Sequence, residues 1–93
     1  MAITMTMVIP GTKEMYDSVN SEMGVDAANV PDGLIAHYAT VTPDGIRVFD
    51  VWESEAAWKA FEEGKLAPAV AKLTNGHGST AGELGQLHNS FTG

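Results

Sequence analysis

The stretch GLIAHYATVTPDGIRVFDVWESEAAWKAF, residues 33–61, decides the fold of this 93-residue chain. Two runs rich in β-branched and aromatic residues, Gly33 to Thr42 and Ile46 to Glu53, flank the tripeptide Pro-Asp-Gly at 43–45. Such runs on either side of turn residues predict two strands joined as a β-hairpin. Ser54 then suits the N-cap of a helix, because its hydroxyl can accept a hydrogen bond from a free backbone N–H.

Upstream of the hairpin, the sequence predicts one strand and one helix. Residues Ala2 to Ile9 alternate with a period of two, which is typical of a strand. Thr12 can cap the helix that follows, and Gly24 is suited to end it. The apolar residues between them recur at helical spacing and form one face, namely Met15, Tyr16, Val19 and Met23. Residues 25–32, VDAANVPD, have the composition of a loop.

Downstream of Ser54, the pattern predicts a helix in two pieces. Trp58 and Phe61 are three residues apart and share a helix face that is expected to point to the core. Gly64 is predicted to break or bend the helix, and Pro68 is tolerated only near the start of the second piece. That piece carries a further apolar stripe, which consists of Leu66, Val70 and Leu73.

The end of the chain completes the predicted topology. Residues 75–82 have the composition of a loop, and Glu83 to Phe91 is predicted as a last, weaker strand. The order β-α-β-β-α-β is that of an α+β fold with a four-stranded antiparallel sheet, in one domain spanning 1–93. Both faces of the strands carry apolar residues, but two helices cover only one face. A second copy is therefore expected on the other face, which predicts a homodimer.

The composition excludes several classes of function. Twelve acidic residues against five basic ones give a net charge of −7, which disfavours binding to nucleic acid or to an anionic membrane surface. The absence of cysteine excludes disulfides and thiolate chemistry. No apolar run approaches the roughly 20 residues of a membrane span. The N-terminal stretch MAITMTMVIP lacks a basic segment, so we expect a cytoplasmic protein.

Four segments resemble the dimeric α+β barrel superfamily, in particular its small proteins of the antibiotic-biosynthesis-monooxygenase type. They are PDGLIAH at 31–37, RVFDVWES at 47–54, LAPAV at 66–70 and LHN at 87–89. The resemblance implies two ferredoxin-like subunits with packed sheets, each with a cleft between sheet and helices. Known activities in that superfamily include cofactor-independent oxygenation of aromatic polyketides, haem degradation and lactone isomerisation. The haem-degrading branch uses a histidine on a helix, which both predicted helices lack, and we expect no cofactor.

The register of the hairpin decides which polar groups meet. A two-residue loop pairs His37 with Asp50, whereas a bulge at Gly45 pairs Tyr38 with Asp50. The Pro-Asp-Gly tripeptide favours the bulge, and both registers remain open. In the first, His37 is a candidate general base in the cleft with Asp50 as its orienting partner, because imidazole exchanges a proton near neutral pH. The structural alternatives are a half-buried, hydrogen-bonded histidine and an aspartate paired with Arg47 or a backbone amide.

Aromatic and polar residues elsewhere suggest a ligand site. Flat amphipathic rings suit both ligand binding and core packing, and packing is favoured for Trp58 with Phe61. One of the two polar residues on the last strand is expected to face the cleft. The predicted ligand-binding residues are Tyr16, Tyr38, Trp52, His88 and Asn89. The histidines at 37, 77 and 88 lack the spacing of metal ligands, so no metal site is expected.

Three functions fit these residues. The first is a cofactor-independent monooxygenase or isomerase acting on a small aromatic or hydrophobic metabolite, in which the substrate itself stabilises the anion formed. The second is a protein that binds such a metabolite without turnover. The third is a structural dimer with no ligand.

Overall fold

The computed structural model describes residues 1–74, 76 and 82–93, in which helices cover one face of a four-stranded antiparallel sheet. The strands are β1 (Ile3–Ile9), β2 (Leu34–Thr42), β3 (Gly45–Trp52) and β4 (Glu83–Gln86), in the spatial order β2-β3-β1-β4. The helices are α1 (Lys13–Met23), α2 (Glu55–Phe61) and α3 (Ala67–Thr74), and a π-helical turn at Glu62–Leu66 joins the last two. The predicted ferredoxin-like α+β fold is confirmed.

Three predicted helix ends, at Thr12, Gly24 and Ser54, are confirmed by their capping groups. The Thr12 hydroxyl accepts a hydrogen bond from the Met15 N–H at 3.2 Å, and Gly24 ends α1 in the left-handed conformation with φ of 70°. The Ser54 hydroxyl accepts from the Ala57 N–H at 3.1 Å. These caps satisfy backbone groups that the first and last turns of a helix leave free.

The helical segment from α2 to α3 does not end at Gly64. It continues through the π-helical turn, where the Ala67 N–H donates to the Glu62 carbonyl, five residues earlier. Pro68 follows as the second residue of α3 and has no N–H for the preceding turn. A change of hydrogen-bond register at this point keeps the helix continuous around the proline.

The core lies between the sheet and the helices. The inward side chains of the two central strands are buried, apart from the partly buried Ile9, and Trp52 has no exposed surface. Its ring packs against Trp58 and Phe61, with centroid distances of 5.8 and 5.2 Å. The predicted inward face of α2 is therefore confirmed. The core residues on β1 and β3 are Ile3, Met5, Met7, Ile46, Val48 and Trp52.

The β2–β3 hairpin has the two-residue loop, so Thr42 pairs with Gly45 and His37 pairs with Asp50. The turn residues favour a bulge at Gly45, and that prediction is wrong. The ladder instead has its irregularity near the start of β2, between Leu34 and Ala36.

Close approach of two strands explains the glycine at position 45. A Cβ atom there would lie 2.3 Å from the carbonyl oxygen of Ile9, at the end of β1. Gly45 also has φ of +133°, which other residues rarely adopt. Glycine is needed to admit the neighbouring strand, and it remains in the ladder rather than forming a bulge.

The last strand is shorter than predicted. β4 ends at Gln86 instead of Phe91, because its partner β1 begins at Ile3. One further backbone bond joins the Leu87 N–H to the Ala2 carbonyl at 3.1 Å. The predicted loop at 75–82 lies outside the described residues except for positions 76 and 82. None of the described helices combines the length and apolar character that crossing a bilayer requires.

Candidate functional site

A cavity of about 430 Å³ lies between the sheet and the helices. This volume lies within the range of pockets that hold small molecules, about 300–1,000 Å³. Its wall is mostly apolar and comes from the strands β1, β2 and β3, from α1, α2 and the π-helical turn, and from the loop that joins α1 to β2. The apolar lining includes Met5, Met7, Val19, Leu34, Trp58 and Leu66.

A hydrogen-bonded histidine–aspartate pair lies in the cavity wall. The His37 Nδ1 atom lies 2.5 Å from the Asp50 Oδ1 atom. The two residues are direct cross-strand partners on β2 and β3, so both side chains point to the same face of the sheet. The His37 side chain is 34% exposed, whereas that of Asp50 is 5% exposed. The imidazole therefore connects a buried carboxylate to the open side of the cavity.

Among the described residues, Asp50 is the one charged residue whose side chain is buried. Both of its carboxylate oxygens have hydrogen-bond partners. Oδ1 meets His37, and Oδ2 accepts a hydrogen bond from the Trp52 indole N–H at 3.2 Å. A buried carboxylate is tolerated when hydrogen bonds replace its lost hydration. The two donors hold the carboxylate in one orientation.

Tyr16 extends this network from the opposite wall. Its hydroxyl lies 2.5 Å from the His37 Nε2 atom. The two rings are nearly parallel, with an interplanar angle of 4° and centroids 6.0 Å apart. Because Tyr16 belongs to α1 and His37 to β2, the contact joins the helical layer to the sheet.

The partners of His37 define its neutral tautomer. An ionised carboxylate can only accept, so the Nδ1 atom facing Asp50 carries the proton. The Nε2 atom of the neutral ring is then an acceptor, and the Tyr16 hydroxyl donates to it. Each donor in the network thus points toward Asp50. This is the arrangement in which an oriented imidazole acts as a general base.

Four of the predicted site residues meet at the cavity. Tyr16, His37, Asp50 and Trp52 all line it and form one hydrogen-bonded group. Trp52 lines the cavity and also packs its ring in the core, so it lies where both of its predicted roles, ligand binding and core packing, would place it. Arg47, the alternative partner of Asp50, lies on the opposite face of the sheet, because it is three residues from Asp50 along one strand.

The other predicted ligand residues lie away from the cavity. Tyr38 is the neighbour of His37 along β2, so it points to the outer face, where it pairs with Phe49 and is 62% exposed. His88 and Asn89 follow the end of β4 and are exposed. Since the ladder has ended, strand alternation no longer directs either side chain toward the cavity.

Residues of α1 and of the following loop complete the cavity wall and were absent from the predicted site. Asn20 lines the cavity one helical turn after Tyr16, a spacing of four that places both on one helix face. The spacing of four from Tyr16 was the signal in the sequence that could have placed Asn20 in the site. Asp26 also lines the cavity, and its Oδ1 atom accepts from the Ala28 N–H at 2.8 Å and from the Asn29 side chain at 3.1 Å.

Within 1–74, 76 and 82–93, no three His, Asp or Glu side chains form a cluster suited to a metal.

Fold and cavity together define a ferredoxin-like α+β protein with a pocket beneath its helices. No family model matches the chain, and a comparison with curated proteins finds no relative. Solved structures do match. A provisionally named antibiotic biosynthesis monooxygenase from Chloroflexus aurantiacus J-10-fl is similar with a TM-score of 0.61 and 16% identity, over 98% of this chain and 95% of that one.

Two further solved structures have the same fold. A protein of unknown function from Nitrosomonas europaea gives a TM-score of 0.64 and 20% identity, over 99% of this chain and 92% of that one. A monooxygenase from the gene ActVA-Orf6 of Streptomyces coelicolor was solved in complex with nanaomycin D. It gives a TM-score of 0.56 and 15% identity, over 99% of this chain and 90% of that one. The resemblance to antibiotic-biosynthesis-monooxygenase-like proteins is confirmed at the level of the fold.

Proposed function

We propose that the protein binds a small, uncharged aromatic or hydrophobic molecule in this cavity and removes a proton from it, without a cofactor. The observation that carries the proposal is the His37–Asp50 pair, at 2.5 Å, facing an apolar cavity of about 430 Å³. Asp50 orients the imidazole, and its charge stabilises the imidazolium that forms when His37 takes up a proton. The solved monooxygenase with nanaomycin D supports this choice by its fold.

The anion formed in the cavity has two productive fates. In an oxygenation, a CH₂ group that has lost a proton gives its electron pair to dioxygen, and the returning proton yields a hydroperoxide. Loss of water then leaves a carbonyl, so that CH₂ and O₂ become C=O and H₂O. In an isomerisation, the proton returns to a different carbon. Both require a substrate that delocalises the negative charge, since no cofactor accepts it.

The charges of the cavity wall favour an uncharged ligand. The ionisable lining residues include Asp26 and Asp50, and the described lining contains neither lysine nor arginine. A carboxylate ligand would lose its hydration and meet two aspartates but no lysine or arginine, which costs several kcal/mol. A phenol instead can donate a hydrogen bond and buries its ring in the apolar part.

A matched pair of ligands tests this preference. 1-Naphthol is expected to bind at least about 100-fold more tightly than 1-naphthoate, which has the same rings and a negative charge. At about 100 times its dissociation constant, a ligand stabilises the folded state by about 2.7 kcal/mol, which for a chain of this size raises the melting temperature by about 10 °C or more. Thermal unfolding with each compound measures the difference. Equal shifts would contradict the charge argument, and no shift with any uncharged ring would contradict the proposed site.

Turnover is tested with anthrone under dioxygen, by following anthraquinone formation. Replacement of His37 by glutamine is expected to reduce the rate at least about 100-fold, because general-base catalysis contributes about 10²–10⁴. The matched control is His88→Gln, since His88 is exposed and does not line the cavity. Binding of 1-naphthol without turnover of anthrone or of any related CH₂ acid would instead indicate a metabolite-binding protein.

The outer face of the sheet suggests that the protein acts as a homodimer. Its exposed apolar residues include Val8, Tyr38 and Phe49, at 48, 62 and 40% exposure. The outward positions of β1, β2 and β3 contain no acidic residue, and Glu83 on the edge strand β4 is the one acidic residue that the described strands place on this face, although the chain has twelve. Two copies with a net charge of −7 each therefore meet with the least repulsion through this face.

A charge placed on this face is expected to prevent association. Sedimentation equilibrium at micromolar concentration should give a dimer for the wild type and a monomer for Phe49→Glu, because the substitution puts like charges into an apolar interface. Val41→Glu is the control. Val41 is 68% exposed but pairs with Ile46 on the other face, so this variant should remain a dimer. A monomeric wild type would contradict the proposal.

A further inference from the structure

Tyr16 occupies the position on His37 that a substrate would be expected to use. The Nδ1 atom of His37 is engaged by Asp50, and the Nε2 atom by the Tyr16 hydroxyl, both at 2.5 Å. An imidazole has only these two nitrogens. A ligand can therefore reach the base directly only if it displaces Tyr16.

The Tyr16 oxygen is the end of the network that remains available to a ligand. When its proton is donated to His37, the oxygen keeps its acceptor capacity. Tyr16 lines the cavity, and Asn20 lines it one turn further along the same helix. His37 lines the cavity beside Tyr16, but its Nε2 atom is already engaged, so the hydroxyl oxygen is the atom of this pair that can still accept from a ligand.

We propose that Tyr16 is the catalytic residue that receives the proton of the ligand and passes its own proton to His37. This inference rests on the proposed function and assigns the roles within the same site. The ligand C–H or O–H bond breaks and its proton binds the Tyr16 oxygen, while the Tyr16 O–H bond breaks and its proton binds Nε2 of His37. The ligand keeps the electron pair as an anion. Tyr16 ends neutral, and the imidazolium is paired with the Asp50 carboxylate.

Trp52 contributes to this relay as a positioning residue. Its indole N–H donates to the second carboxylate oxygen of Asp50, so that Oδ1 remains directed at His37. Two donors thus meet one buried carboxylate, the Trp52 indole N–H at Oδ2 and the His37 Nδ1–H at Oδ1, and Tyr16 donates to the other nitrogen of His37. A single proton taken from the ligand is stabilised by the whole group rather than by His37 alone.

The chain contains two tyrosines, which allows a matched experiment. Tyr16→Phe removes the hydroxyl and keeps the ring, and Tyr38→Phe makes the same change on the outer face of the sheet. With anthrone, Tyr16→Phe is expected to reduce the rate constant of the chemical step at least about 100-fold, while the dissociation constant of 1-naphthol rises by no more than about 10-fold, the value of one lost neutral hydrogen bond. Tyr38→Phe is expected to match the wild type. An unchanged or faster rate in Tyr16→Phe would overturn the relay, because it would show that His37 takes the proton directly.

Nitrogen NMR of ¹⁵N-histidine-labelled protein tests the same relay in the complex with 1-naphthol, without turnover. If Tyr16 remains between ligand and imidazole, the Nε2 signal of His37 keeps its hydrogen-bonded shift in the complex and loses it in Tyr16→Phe. If the ligand displaces Tyr16, the wild-type and Tyr16→Phe complexes give the same Nε2 signal, which overturns the relay alone. If no uncharged ring binds, the proposed function fails and the relay fails with it.

Discussion

Replacement of Trp52, the largest fully buried side chain among the described residues, by alanine is expected to lower the free energy of unfolding by about 4–6 kcal/mol. The side chain has no exposed surface and packs against the rings of Trp58 and Phe61. Truncation of a buried tryptophan costs about 3–5 kcal/mol. The Asp50 oxygen that accepts from the indole would lose its partner as well, which adds about 1 kcal/mol or more.

Such a loss is a large fraction of the whole free energy of unfolding, which for a folded domain is only about 5–15 kcal/mol. Urea unfolding followed by circular dichroism, at one fixed protein concentration, measures the effect. Phe91→Ala is the control, since Phe91 is 90% exposed and its truncation should change stability by less than about 0.5 kcal/mol. A loss below about 2 kcal/mol for Trp52→Ala would contradict the packing described here.

The fold could be predicted from the sequence because its signals are local. Thr12 and Ser54 each cap the helix that begins one residue later, and the hairpin loop lies between two runs of strand-forming residues. Each signal involves residues within about four positions of one another, and all of them agree on one order of elements. The same reasoning failed at the end of β4. Its last residue, Gln86, is set by where β1 begins, more than 80 residues away.

The site could be predicted only in part because its contacts are not local. The pairing of His37 with Asp50 depends on the register of the hairpin, in which Gly45 remains in the ladder and lies against Ile9 of β1. A one-residue change of register would exchange the faces of His37 and Tyr38. Turn residues alone, which favoured the bulge, carry no information about that neighbouring strand.

Tyr16 illustrates the same limit in a different way. Its helix face was predictable from apolar spacing, and so was its orientation toward the sheet. The position of α1 across the sheet, which brings the hydroxyl to His37, comes from the packing of whole layers. The role of Tyr16 therefore changes from a ring that lines the cavity to a donor in a defined network.

Asp50→Asn is expected to reduce turnover of anthrone by about 10³–10⁴-fold without unfolding the protein, as in triads where the same change leaves the geometry intact. The reason lies in Trp52. Its indole N–H can only donate, so it must face the carbonyl oxygen of the new amide. The amide NH₂ group then faces Nδ1 of His37, which has to become an acceptor.

This exchange inverts the tautomer of His37, so that Nε2 carries the proton and meets the Tyr16 oxygen as a donor. In that state Nε2 has no lone pair for the proton of Tyr16 or of a ligand, and the network is blocked although its shape is kept. Nitrogen NMR of ¹⁵N-histidine-labelled protein detects the inversion directly, with or without turnover. Asp44→Asn, at the exposed hairpin loop, is the matched control and should leave both tautomer and rate unchanged. An unaltered His37 tautomer in Asp50→Asn would contradict the role of Trp52 in directing the carboxylate.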